Sequence, residues 1–324
     1  MVAPVGVWKE ISLHAFGTTG DGWGPEAGLI KQGSAYYGTT LAGGITGCKG
    51  YIAGADGCGT VFQLMPPAVA GGAWAEKILY SFKGGSDGAI ASSSLISLKG
   101  AFYGVTTVGG TGNCLLPGTS GGCGTVFAVN PLGVKTAIYS FTGGADGAYP
   151  IGKLIHVQGA AFYGTTSSGG GTGCGGSGCG TIFRLKPPTV IGGPWREKIL
   201  HTFAGGTDGA APVAGLLNIP VSIAGTTAGI LYGTTSVGGG TGCAGVGCGT
   251  VFKLPLAGVE KGDIGIESVI HAFQGQGDGA FPIGDLINVG GPLGTTEFGG
   301  TSSCAGGKTA IGYQGCGTVF RLSN

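Results

Sequence analysis

Of the 15 acidic residues in this chain of 324 amino acids, six have no acidic counterpart in an internal repeat, and four of these six are candidates for a site: Glu26, Asp56, Asp285 and Glu297. Most of the other acids recur at equivalent positions of an internal repeat. Two carboxyl groups flanking a glycosidic bond can serve as general acid and as base or nucleophile. The sequence therefore predicts a catalytic acidic site from Glu26, Asp285 and Glu297, with solvated loop acids as the alternative.

His156 is the remaining catalytic candidate. It has no histidine counterpart in the other copies of the repeat. Because imidazole exchanges protons near neutral pH, His156 could serve a lyase, and a structural or solvated histidine is the alternative. The other histidines stand at a repeated position that tyrosine fills elsewhere, which argues against catalysis: His14, His201 and His271.

Aromatic and hydroxyl side chains in the predicted loops are candidates for substrate contacts. Trp23 lies beside Asp21, and Tyr149 and Phe281 occupy equivalent loops, where aromatic rings could stack on sugars. Asp21 belongs to an Asp-Gly pair that is also typical of tight turns. The complete set of predicted substrate contacts is Trp23, Asp21, Tyr149, Phe281, Thr40, Thr296 and Tyr313.

Composition restricts the classes of function. Gly accounts for 77 of the 324 residues, which excludes an ordinary helical protein, and 42% of residues are hydrophobic against 10% charged, which favours a packed core. A net charge of +1 gives no basis for binding nucleic acid or an anionic membrane. There is no apolar run long enough to span a membrane and no export signal at the start, so we expect a mature soluble part.

These residues belong to a fivefold repeat with a mean step of about 64 residues. Each apolar ending is followed by an Asp-Gly loop, then by a Tyr-Gly-Thr-Thr type segment, and finally by Cys-Gly-Thr-Val/Ile-Phe. The apolar endings finish at Phe16, Phe82, Phe141, Phe203 and Phe273.

Each copy contains four short β-branched or aromatic runs bounded by turn residues, which predict four strands, a to d. The repeat favours an all-β, five-bladed β-propeller of four-stranded blades, closed by an N-terminal strand at residues 7–16. An open β-solenoid is the alternative. We expect a single domain over residues 1–324, with blades at about 17–82, 83–141, 142–203, 204–273, and 274–324 plus 7–16.

The segments LYGTTSVGGGTG at 231–242 and CGTVFKL at 248–254, followed by HAF and GDGAFP within 271–282, resemble the tandem repeats of the choice-of-anchor GloVer-containing proteins of bacteria. The resemblance extends over nearly the whole chain. It implies an exported, propeller-like protein and supplies no activity or catalytic residue.

The ten cysteines form five local pairs, one in each copy. A zinc site needs about four ligands, and no histidine accompanies any of these pairs. We therefore predict one disulfide per blade. Disulfides imply an oxidising compartment, and we expect a secreted, periplasmic or cell-surface protein. The predicted pairs are Cys48 with Cys58, Cys114 with Cys123, Cys174 with Cys179, Cys243 with Cys248, and Cys304 with Cys316.

The d-to-a connections and the b-to-c loops should emerge on one face, which we call the top face. We predict a secreted, lectin-like protein that binds a polysaccharide or oligosaccharide there. A glycoside hydrolase or polysaccharide lyase with an acidic site between blades 5 and 1 is the alternative, and a structural surface protein is the second alternative. We expect a monomer with no cofactor. Binding of a structural calcium ion by the Asp-Gly loops is an alternative that the sequence leaves open.

Overall fold

The computed structural model describes residues 9–17, 20–45, 48, 56–115, 121–157, 161–190, 192–223, 226–256, 265–300 and 315–323. Structural statements below refer to these residues, and only the backbone is described at 222, 223 and 226–228. No helix among them is long and apolar enough to cross a membrane.

The strands form five antiparallel sheets in sequence order, which confirms the predicted five-bladed β-propeller. A separate two-stranded pair joins β1 (Gly22–Trp23) to β4 (Ala42–Gly43). The blade 1 strands are β2 (Ile30–Gln32), β3 (Ala35–Thr40), β5 (Thr60–Met65) and β6 (Ala75–Ser81). Blade 2 contains β7 (Ile96–Leu98), β8 (Ala101–Thr106), β9 (Thr125–Val129) and β10 (Lys135–Ser140).

Blade 3 contains β11 (Ile155–Val157), β12 (Ala161–Thr166), β13 (Thr181–Lys186) and β14 (Arg196–Thr202). Blade 4 contains β15 (Leu217–Ile223), β16 (Thr226–Thr235), β17 (Thr250–Pro255) and β18 (Ser268–Ala272). Blade 5 contains β19 (Ile287–Asn288), β20 (Pro292–Thr296) and β21 (Thr318–Arg321). Short 3₁₀ turns lie at Gly85–Asp87, Cys174–Gly176, Gly206–Asp208, Cys243–Gly245 and Gln276–Asp278.

Phenylalanine pairs hold neighbouring blades together. The Phe that follows strand d of one blade meets the strand c Phe of the next, as with Phe141 and Phe183, whose ring centroids are 5.1 Å apart at 65°. Gly164 in the Tyr-Gly-Thr-Thr segment leaves room for this packing, because a Cβ there would lie 2.6 Å from Phe183 Cζ. The repeated motifs therefore encode one seam geometry used five times.

The fifth seam closes the ring. Phe16 lies 5.0 Å from Phe62 between ring centroids, the same relation as at the other four seams, so Phe16 occupies the place of the missing strand d Phe of blade 5. Residues 9–17 form no ladder with β21, so the predicted closing strand is not formed in the described part of the chain. Val319 on β21 is consequently 73% exposed, whereas Val251 at the same position of blade 4 is buried.

Four of the five predicted disulfides are confirmed: Cys48–Cys58, Cys114–Cys123, Cys174–Cys179 and Cys243–Cys248. Each joins the two ends of a loop between strands b and c. Cys304 of the fifth predicted pair lies outside the described residues.

Candidate functional site

A cavity of about 490 Å³ is lined by residues of all five blades. Its walls are the connections that lead from strand d of one blade into strand a of the next. Strand a lies at one edge of every sheet, and the short turn segments that lead into it converge on the cavity. The lining residues are Glu26–Gly28, Ser92–Ser94, Ile151–Lys153, Val213, Ala214, Ile283 and Asp285.

Asp285 is the most firmly held charged group of this cavity. Its Oδ2 lies 2.8 Å from Lys153 Nζ, and its Oδ1 accepts the Gly215 N–H at 2.7 Å. The ion pair and the hydrogen bond link blades 3, 4 and 5. Both side chains of the ion pair remain about one-third exposed, so both can still contact a ligand.

The serines at 92–94 are fixed by contacts with two strands and a neighbouring blade. Ser93 Oγ accepts the Val105 N–H at 3.2 Å, and its carbonyl accepts the Thr39 hydroxyl at 3.0 Å. Ser94 Oγ accepts the Gly28 N–H at 3.0 Å. The Ser94 hydroxyl is half-buried, acts as the acceptor in this contact and keeps its own proton to donate to a ligand, whereas Ser93 is buried.

Two of the predicted catalytic acids share this cavity. Glu26 enters from blade 1 and Asp285 from blade 5, which the Phe16–Phe62 contact makes neighbours. With Lys153, the lining carries two negative charges and one positive charge. This balance disfavours a strongly anionic ligand such as a phosphate ester and suits a neutral, hydroxyl-rich one.

The other two predicted catalytic residues are not among the lining residues. Glu297 is exposed in the connection after β20, where its N–H donates to the Phe281 carbonyl at 3.0 Å. His156 is exposed on β11, with its ring 5.9 Å from that of Phe162. The structure brings together Glu26 and Asp285 and leaves these two side chains elsewhere.

The predicted aromatic contacts divide into one exposed residue and two packed ones. Trp23 is 49% exposed on β1, three residues before Glu26. Tyr149 and Phe281 are half-buried, and their N–H groups donate to the carbonyls of Cys123 and Cys248 of the preceding blade. Burial raises the pKa of Tyr149 above its usual range. Tyr313 lies outside the described residues.

The predicted polar contacts are used inside the fold. Thr40 and Thr296 are buried, and their hydroxyls lie 2.9 Å and 2.8 Å from the hydroxyls of Thr60 and Thr318 on strand c. Asp21 is buried and accepts the Gly22 N–H at 2.6 Å. The Thr-Thr and Asp-Gly motifs thus shape the loops that surround the cavity.

Sequence reasoning missed the serines at 92–94 and Lys153 as site residues. A signal was present, because three consecutive serines occur at this position of the repeat only in the second copy. Lys153 belongs to a short apolar segment of strand a type, and only the folded ring shows that its ammonium reaches Asp285 two blades away.

A second group of ionisable residues lies at the seams, away from the lining of the cavity. Each cluster combines a residue near the end of strand d, the Asp of the following loop, and a residue in or directly before strand d of the next blade. We name each cluster by its first residue: the His14 seam (His14, Asp21, Glu76), the Tyr80 seam (Tyr80, Asp87, Lys135), the Tyr139 seam (Tyr139, Asp146, Glu197) and the His201 seam (His201, Asp208, Glu267).

Burial and a neighbouring carboxylate perturb the seam acids. Desolvation, with repulsion from Asp146, raises the pKa of Glu197 to about 7. Desolvation raises the pKa of Glu267 to about 7, although the nearby His201 opposes the rise. Burial would raise the pKa of Asp208 too, but hydrogen bonds from His201 and the Ala204 N–H lower it.

Solved structures similar to this chain include proteins of about twice its length. The GH43 protein BlXynB of Bacillus licheniformis is 14% identical with a TM-score of 0.38, over 93% of this chain and 53% of that one. A sialidase of Trypanosoma rangeli in complex with sialic acid is 10% identical with a TM-score of 0.46, over 89% and 43%. A GH43_12 protein from a capybara gut metagenome is 13% identical with a TM-score of 0.41, over 93% and 51%. This chain spans about half the length of these proteins, and at such TM-scores the likeness carries no argument about function.

No curated protein matches the sequence. The sequence profile of the Gloeobacter/Verrucomicrobia repeat matches residues 49–242, which is more than half of the chain, and it confirms the resemblance seen in the repeated motifs. The chain therefore belongs to the Gloeobacter/Verrucomicrobia repeat family.

Proposed function

We propose that this protein binds carbohydrate in the cavity where its five blades converge. The observation that carries the proposal is a pocket of about 490 Å³ in which hydroxyls, carboxylates and an ammonium from separate blades face one space. Small-ligand sites have volumes of about 300–1,000 Å³ and combine apolar walls with a few placed polar groups. The cavity fits this description.

The lining matches the chemistry of a sugar. Carboxylates accept hydrogen bonds from sugar hydroxyls, and the Lys153 ammonium and the serine hydroxyls donate to sugar oxygens. Ile151, Val213 and Ile283 offer aliphatic surface for the C–H faces of the ring. Trp23, exposed three residues before Glu26 in the same connection, offers an aromatic face on which a sugar ring could stack.

Hydrolysis of the bound glycan is the second candidate, because Glu26 and Asp285 line the same cavity. Two carboxyl groups flanking a glycosidic oxygen are the usual requirement for this chemistry. Asp285 is paired with Lys153 and accepts the Gly215 N–H, so its carboxylate is held in place to act as a nucleophile, base or binding group. In this alternative Glu26 is the proton donor.

We propose in addition that the protein works outside the cytoplasm. The four disulfides support this proposal, because such bonds persist in oxidising compartments. A glycan of the cell surface or the surroundings is then the accessible partner.

The test is a panel of soluble polysaccharides and oligosaccharides, measured in parallel for binding by calorimetry and for released reducing sugar or unsaturated product. Wild type is compared with Glu26→Gln combined with Asp285→Asn, which keeps the shape of both side chains and removes both charges. Glu297→Gln is the matched control, because it changes an exposed acid that is not among the lining residues.

Binding that weakens at least tenfold in the double variant and persists in the control supports the proposal. Sugar release by wild type that disappears in the folded double variant shows hydrolysis. No binding to any glycan, or binding that the double variant retains in full, overturns the cavity as a carbohydrate site.

A further inference from the structure

Each seam cluster contains three ionisable side chains, which come from two neighbouring blades and have the same arrangement in every cluster. In the His201 seam, His201 Nε2 lies 3.2 Å from Asp208 Oδ2 and 3.8 Å from Glu267 Oε2. One donor atom of each side chain lies within 4.8 Å of the other two, and the same holds in the His14 seam. The two clusters share a nitrogen and two carboxylate ligands.

We propose that the His201 and His14 seams each bind one divalent first-row transition metal ion, with Zn²⁺ as the reference ion. The ligands are His201, Asp208 and Glu267 in one seam and His14, Asp21 and Glu76 in the other. One imidazole and two carboxylates form a donor set that zinc accepts, with the fourth position open to water.

The distances match this use. Zinc bonds of 2.0–2.1 Å in a tetrahedron place neighbouring ligand atoms about 3.3 Å apart. The His201–Asp208 separation of 3.2 Å lies close to this value, and the His201–Glu267 separation of 3.8 Å is 0.5 Å longer. The His14–Asp21 distance is likewise 3.2 Å.

An unpaired buried oxygen gives independent support. The Glu267 side chain is only 4% exposed, and its Oε1 has no hydrogen-bond partner among the described residues. Glu76 Oε1 is buried in the same condition, and so is Glu197 Oε1 in the Tyr139 seam, where no histidine completes a donor set. A buried carboxylate oxygen without a partner is costly, and a cation held by a cluster that also supplies an imidazole would remove that cost.

The Tyr80 seam shows that this position accepts a cation. There Lys135 replaces the glutamate, and its Nζ lies 2.8 Å from Asp87 Oδ1 while the side chain is only 6% exposed. The chain thus supplies its own positive charge where histidine is absent. In the Tyr139 seam neither a histidine nor a lysine is present, which makes that seam the natural control.

The test is the zinc content of the full chain after chelation, reloading with Zn²⁺ and dialysis, with Co²⁺ absorption as a second readout. We expect two ions per chain in wild type and one in either His201→Gln or His14→Gln. The double variant should retain none. Glu197→Gln in the Tyr139 seam should still retain two.

A gain of binding completes the test. Tyr139→His gives the Tyr139 seam the same three residue types, so we expect three ions per chain. Zinc absent from wild type, or zinc content unchanged in the folded double variant, overturns the proposal. If the double variant fails to fold, the absorption spectrum of wild type loaded with Co²⁺ decides the question. A spectrum without the features of imidazole ligation overturns the proposal equally. The outcome is independent of carbohydrate binding in the cavity.

Discussion

Replacing Glu197 by lysine should stabilise the protein, because the Tyr80 seam already contains the corresponding arrangement. Glu197 and Lys135 both lie six residues before the Phe of their strand d. Glu197 faces Asp146 and Tyr139, and two carboxyl groups at one half-buried position repel each other. In Glu197→Lys the new ammonium should reach Asp146 as Lys135 reaches Asp87.

The size of the effect follows from the pKa of Glu197. Its rise from 4.5 to about 7 corresponds to about 3 kcal/mol at pH 8, at roughly 1.4 kcal/mol per pH unit. Because the side chain is only half-buried, solvent screening reduces this to about 1–2 kcal/mol. A hydrogen bond to a charged partner adds about 1 kcal/mol or more. We expect a total gain of about 2–3 kcal/mol at pH 8.

The sign of the pH dependence is fixed by the direction of the shift. A carboxyl whose pKa is higher in the folded state contributes its full stability below pH 4.5, and that contribution is lost as the pH rises through about 7. The advantage of Glu197→Lys should therefore be larger at pH 8 than at pH 5. Chemical denaturation at both pH values, followed by circular dichroism, measures the difference.

Lys135→Glu is the matched reverse change. It should lower the free energy of unfolding by about 3 kcal/mol or more at pH 8, because it leaves Asp87 beside a second buried carboxylate. Destabilisation by Glu197→Lys at pH 8, or a gain of equal size at pH 5 and pH 8, would refute the electrostatic reasoning.

Two further predictions concern the repeated motifs. Gly164→Ala should cost about 1–3 kcal/mol of folding free energy, because its Cβ would lie 2.6 Å from Phe183 Cζ. The control Gly277→Ala, whose Cβ would have nothing within 4 Å, should change stability by less than about 1 kcal/mol. Equal effects of the two changes in thermal unfolding would contradict the steric account. Replacing both Cys174 and Cys179 by serine should cost about 2 kcal/mol, as expected for closure of a loop with a sequence separation of 5, and an unchanged denaturation midpoint would contradict it.

The fold was predictable because the same packing arrangement between blades is repeated along the sequence. A Gly in strand b, a Phe in strand c and a Phe after strand d form one seam, and five copies of these motifs specify five blades. The end of the ring was less predictable. Phe16 packs on Phe62 as the repeat requires, but residues 9–17 form no ladder with β21 in the described part.

The candidate site was predictable where the repeat breaks. Glu26 and Asp285 stood out because their counterparts in other copies are not acidic, and ring closure brought them to one cavity. Lys153 was missed because its contact with Asp285 crosses two blades, which no local pattern encodes. The seam clusters could not be predicted as units, because their members come from two distant parts of the sequence and meet only across the seam between two blades.

The most direct test of the central claim is a crystal structure of the protein soaked with the tightest-binding oligosaccharide from the glycan panel. We expect a sugar ring in the cavity, with hydroxyls within hydrogen-bond distance of Asp285, Lys153 and the serines at 92–94. A sugar bound elsewhere on the ring, with the cavity holding only water, would contradict the assignment of this cavity as the carbohydrate site.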